Sequence, residues 1–124
     1  MMERQIIKGL IFGMVIFSSC YYDNAEELYP STECITDNMS LQNNIEPILE
    51  RNCYVCHSVA AGPGNGNVTL EGYSELIKYV NSGQLVGAIN HNSEYSPMPQ
   101  NAPKLGSCDI AKIESWVADG APDN

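Results

Sequence analysis

Cys53-Tyr54-Val55-Cys56-His57 constrains this chain more than any other stretch. Two thiols separated by two residues, with an imidazole directly after the second, suit few structures. At this spacing the thiols can add across the two vinyl groups of one haem. The adjacent His then sits below the iron and ligates it through an imidazole nitrogen. Three other readings compete. A thioredoxin-like redox pair follows a buried strand and opens a helix. Here the pair closes a helical pattern, and no strand run precedes it. A zinc site needs two further ligands. Cys34 and Cys108 could supply them, but the adjacent Cys56 and His57 would strain to bind one ion together. A plain Cys53–Cys56 disulfide is the third. One covalent haem c at Cys53, Cys56 and His57 is the expectation.

Covalent haem attachment belongs to the exported side of bacterial membranes, and the N-terminus points there. Met1–Lys8 is a short basic head with Arg4 and Lys8. Gly9–Phe17 is an apolar run too short to span a bilayer as a mature helix. Ser18 and Ser19 are small, and Cys20 follows. The order of basic head, apolar run and small residues reads as an export signal over 1–19. Phe17-Ser18-Ser19-Cys20 resembles a bacterial lipoprotein box, which makes Cys20 the expected lipidation site. Simple secretion with an unmodified Cys20 is the alternative. The expected product is a membrane-anchored lipoprotein facing the periplasm or the cell surface.

The 124 residues suit one small domain. Residues 20–33 are polar, acidic and aperiodic, and read as a flexible tether; 34–124 is the expected domain. From Cys20 onward there are four basic and fourteen acidic residues, a formal charge of −10. Such acidity argues against nucleic acid, whose phosphates need basic partners. It permits steering toward a basic partner, and it also keeps an exported domain soluble.

Five cysteines are an odd count for an exported chain. Lipidation takes Cys20 and the haem motif takes Cys53 and Cys56. Cys34 and Cys108 remain, and an oxidising compartment would let them pair. Such a bridge would close a loop of about 75 residues and could add roughly 4 kcal/mol by chain entropy.

The rest of the chain reads as helices and loops. Leu41, Ile45, Ile48 and Leu49 fall at helical spacing, with Ser40 as N-cap. Pro47 is harmless if the helix starts near Glu46 and a kink if it starts at Ser40. Ser58–Val68, with Gly62, Pro63, Gly64 and Gly66, is a loop. Tyr73, Leu76, Ile77 and Val80 mark an amphipathic helix ending near Gly83. Leu85, Val86 and Ile89 suggest a short helix. His91–Gly106 contains Pro97, Pro99 and Pro103 and no period, so an extended surface loop is expected. Ser107 is placed to cap a last helix, with Ile110, Ile113, Trp116 and Val117 on one face. Gly120 and Pro122 end it. The expected class is all-α, about four short helices with long loops. Long loops are unusual in so small a domain. A haem would supply the large apolar body around which they wrap.

A second axial ligand can also be sought. Met98 lies forty-one residues after His57, between Pro97 and Pro99, which restrict the backbone and present the thioether. Met/His ligation fills both axial positions and raises the potential, which suits electron transfer. Met39 precedes the first helix and nothing rigid presents it. His91 would give a bis-His site, but its position after a helix between Asn90 and Asn92 suggests a capping, solvent-facing residue. An open sixth position is the remaining option. Trp116 reads as core packing between the first and last helices. Tyr73 and Tyr79 are weaker candidates for the wall of a haem cavity.

These features resemble the class I cytochrome c family. Cys53, Cys56 and His57 match its attachment motif, Met98 its axial Met, and Ile45-Glu46-Pro47-Ile48-Leu49 the I-x-P-I-L run before many bacterial motifs. More narrowly, the leader junction, Pro97-Met98-Pro99 and Trp116…Gly120-Ala121-Pro122 look like small exported haem c lipoproteins of Bacteroidetes-type bacteria. The Gly-rich loop after His57 departs from the mitochondrial type. The resemblance, over roughly 34–124, implies a cytochrome c-like fold with crossing terminal helices and a Cys34–Cys108 disulfide. It implies an electron carrier rather than an enzyme, working with redox partner proteins, membrane-bound through lipid, with no small-molecule substrate. A haem enzyme or accessory (peroxidase-like, or a ligand-binding sensor) with a displaceable sixth ligand is the alternative. A surface lipoprotein with structural haem is the third.

Overall fold

The computed structural model describes residues 33–62 and 66–124. The leader, the Cys20 lipidation site and the tether up to residue 32 lie outside the described residues. So do Pro63 and Gly64 of the glycine-rich loop. The described residues form one compact unit, Glu33–Asn124.

That unit is all-α. It contains a π-helical turn, Leu41–Ile45, then α1 (Glu46–Asn52), α2 (Tyr54–His57), α3 (Tyr73–Asn81), α4 (Gln84–Ile89) and α5 (Ser107–Ala118), with no strand among the described residues. About four helices were expected; the first is divided into three segments. Ser40 does cap the start, its hydroxyl accepting from Asn43 N–H. The Glu46 amide then reaches back to the Leu41 carbonyl, a five-residue step that widens the turn. Pro47, which has no N–H to give, thereby falls in the first turn of α1, where none is needed. Both expectations for Pro47 were thus partly met: the helical path starts at Leu41, and the α-helix starts at Glu46.

The second division falls at Cys53, whose φ of −123° and ψ of −42° separate α1 from α2. Its own amide still donates to Leu49 O at 2.7 Å, and its carbonyl accepts from His57 N–H at 2.8 Å. The chain therefore turns there without losing its hydrogen bonds.

The core lies between the first helical segments and α5. Ile45, Leu49, Ile113 and Trp116 are wholly buried, with Leu76 of α3 and Leu85 of α4 beside them. The helical spacing of these side chains is what joins the elements. α5 starts one residue earlier than Ser107 would allow as cap. Gly106 is the N-cap and makes no side-chain bond, while Asp109 in the first turn faces the helix dipole. At its far end Gly120, with φ of +91°, turns the chain so that Ala121 N–H reaches Trp116 O.

The disulfide joins Cys34 to Cys108, tying the segment before the first helix to α5. Nearby, the Ser115 hydroxyl donates to Thr36 O at 2.6 Å. None of the helices over the described residues is long and apolar enough to cross a membrane.

Candidate functional site

A cavity of about 690 Å³ opens between the end of α1, α2, the segment after it, α4 and the loop before α5. Its size lies within the roughly 300–1,000 Å³ typical of ligand and cofactor sites. Cys53, Cys56, His57 and Met98 all line it, together with apolar side chains including Val68, Leu70, Leu85 and Ile89. Leu70, Leu85 and Ile89 also belong to the core, so the cavity floor is the face of the core itself.

Cys53 is half-buried, and burial pushes its thiol up to about 11, so it is protonated at neutral pH. Tyr54 beside it is raised to about 12, first by burial and then by Glu46, Glu71 and Glu50. Cys56 is exposed on the next turn. Neither sulfur belongs to the disulfide. Since Cys34 and Cys108 hold each other, they are not available to complete a zinc site with the pair. Among the described residues no three His, Cys, Asp or Glu side chains gather as metal-ion ligands.

His57 is fixed through one nitrogen. Its Nδ1 lies 3.0 Å from the carbonyl oxygen of Val68, which can only accept, so Nδ1 carries the proton. Nε2 is then the nitrogen with a lone pair to offer. That bond fixes the tautomer and the orientation of the ring. The His57 carbonyl in turn accepts from Leu70 N–H at 2.8 Å. The Glu71 carboxylate accepts from Val59 N–H at 2.7 Å. These two bonds hold the chain just after Val68 against His57 and Val59.

Met98 is held as firmly. Its amide donates to Ala88 O at 3.0 Å, and its carbonyl lies 3.0 Å from Nε2 of His91. The Met98–Pro99 peptide is cis. The ring of Tyr95 packs against Gly87 of α4, where any β-carbon would collide with it. The 91–98 segment, expected as an extended loop, is instead folded back on the end of α4 by turns.

The other candidates separate cleanly. Met39 is a core residue, 5% exposed. His91 is exposed with φ of +55°, closes α4 through its amide to Ala88 O, and spends Nε2 on Met98. Tyr79 lines the cavity. Tyr73 does not: its hydroxyl donates to Ala121 O at 3.1 Å and ties α3 to the C-terminal segment. Trp116 is core, with its indole N–H donating to Pro122 O at 3.0 Å.

Sequence reasoning missed the Val68 carbonyl, Tyr95 and Gly87. A glycine in the middle of a short helix disfavours that helix. It was the one legible sign that something approaches α4 closely.

No protein-family model matches the chain, and neither does any curated protein or solved structure. What the fold and site define is an all-α domain with an apolar cavity walled by two thiols, an imidazole and a thioether.

Proposed function

We propose that this protein is a single-haem c-type cytochrome with a cytochrome c-like fold, carrying electrons between membrane-associated or periplasmic redox partners. One observation carries the reading. Met98, forty-one residues further along the chain, lines the same largely apolar cavity as the Cys53, Cys56 and His57 motif, and the hydrogen bond on His57 leaves Nε2 as the nitrogen able to ligate.

The residues present suit such a group. Cys53 and Cys56 would bind it through thioethers, His57 through Nε2 and Met98 through its sulfur. The chemistry supplied by a bound haem is one reversible electron at iron. Leu70, Leu85 and Ile89 would keep the site apolar, and Val68 O would hold the imidazole in register. With His57 and Met98 both engaged, no iron position would be left for a substrate. The export signal and Cys20 would tether the domain to a membrane, and its acidity would favour basic partners.

The test is spectroscopic. The chain, expressed with its leader in a host that attaches haem, is denatured and extracted. Haem retained by wild type and lost by Cys53→Ala/Cys56→Ala supports the reading; a haem-free mature chain overturns it. Reduced wild type is expected to resist carbon monoxide, and Met98→Ala to bind it rapidly and lose the far-red ferric Met–iron band. Rapid binding by wild type would favour a ligand-binding or peroxidase-like haem protein instead.

A further inference from the structure

We propose that His91 is a positioning residue for Met98, holding the thioether-bearing residue at the cavity wall through its backbone rather than by touching the cofactor. The proposal rests on the haem reading above.

The Met98 peptide is gripped at both polar atoms, and both grips come from the end of α4. Its N–H donates to Ala88 O at 3.0 Å. Its C=O accepts from His91 Nε2 at 3.0 Å. A carbonyl has no proton to give, so Nε2 is the donor whatever the state of the other ring nitrogen. His91 reaches back because its backbone is left-handed, with φ of +55°, and its own amide closes α4 on Ala88 O at 3.1 Å. The base of this device is anchored. Asn90 donates to Val86 O and, at 2.6 Å, to the Glu114 carboxylate on α5. Tyr95 lies on Gly87 in the middle of the same segment.

The consequence is a coupling. Withdrawal of Met98 from the cavity breaks the His91 bond, and loss of the His91 bond makes withdrawal easier. One net hydrogen bond of about 1 kcal/mol corresponds to about fivefold in that equilibrium.

The experiment uses the mature haem-loaded chain and three variants, with His91→Leu as a fourth in reserve. His91→Gly removes the imidazole while tolerating the positive φ. His91→Gln keeps a side-chain N–H donor. Met98→Ala reports complete loss of the ligand. The readouts are the rate of carbon monoxide binding, the far-red Met–iron band and hydrogen exchange at the Met98 amide.

His91→Gly is expected to bind carbon monoxide about fivefold faster than wild type, with faster Met98 exchange. His91→Gln is expected to recover part of both. Wild-type rates and exchange in His91→Gly, beside a large change in Met98→Ala, overturn the proposal and leave the haem reading standing. No change in either variant removes Met98 as a ligand, and the proposal with it. Should His91→Gly not fold, a His91→Gln variant that behaves no better than His91→Leu overturns it equally.

Discussion

The ring of Tyr95 fills the space that a β-carbon on Gly87 would occupy. That contact holds the loop bearing Met98 against α4, and it leaves no room for a side chain at position 87. Gly87→Ala must displace the ring. Overpacking of this kind costs about 1–3 kcal/mol, although alanine is the better helix former. A chemical denaturation series should show the loss. In a Tyr95→Ala background the same substitution should be nearly neutral or stabilising, because the obstacle is gone.

The Cys34–Cys108 disulfide closes a separation of 74 residues. Its removal frees most of the domain in the unfolded state. Cys34→Ser/Cys108→Ser is expected to lose about 2–5 kcal/mol in denaturant midpoints. Reductant should lower the wild-type midpoint by a similar amount and leave the double variant unmoved. Equal midpoints with and without reductant would mean that the folded pair adds no stability.

The start of the first helical segment is capped from far along the chain. Leu41 N–H donates to the Asn124 side-chain oxygen at 2.9 Å, and Gln42 N–H to its carbonyl at 3.0 Å. The Ser40 hydroxyl donates to that same carbonyl at 2.8 Å. Asn124→Ala keeps the backbone acceptor and removes one cap, so a loss of about 1 kcal/mol is expected. Deleting Asn124 removes both acceptors and should lower the thermal midpoint further. Identical midpoints for the two variants would assign the effect to the side chain alone.

The capping by Asn124 also marks the limit of what was legible beforehand. Leu41, Ile45, Ile48 and Leu49 announced the first helix, and Ile110, Ile113 and Trp116 the last, because apolar spacing reports directly which face is buried. The same spacing says nothing of backbone partners. The widened turn before Pro47, the break at Cys53 and the support of His57 by Val68 O all depend on hydrogen bonds made by carbonyls and amides, which every residue carries alike. The candidate site was legible at its chemical residues and illegible at the groups that aim them. His91 was readable as a closing residue of α4, but its grip on Met98 depends on how the proline-flanked loop folds back.

Trp116 offers the sharpest test of how the core is held. It is the only tryptophan of the chain and is wholly buried. Two contributions are superposed there, the packing of the indole and its N–H bond to Pro122 O at 3.0 Å. Trp116→Ala removes both and is expected to lose about 3–5 kcal/mol. Trp116→Phe keeps much of the packing and leaves the Pro122 carbonyl, which is near the surface, to find water. Its loss should be about half as large. Circular dichroism during denaturation reads both variants without needing the tryptophan itself. Equal losses would place the main contribution in the N–H bond and in the return of the chain after Gly120. A loss confined to Trp116→Ala would place it in the packing between α5 and the first helical segments.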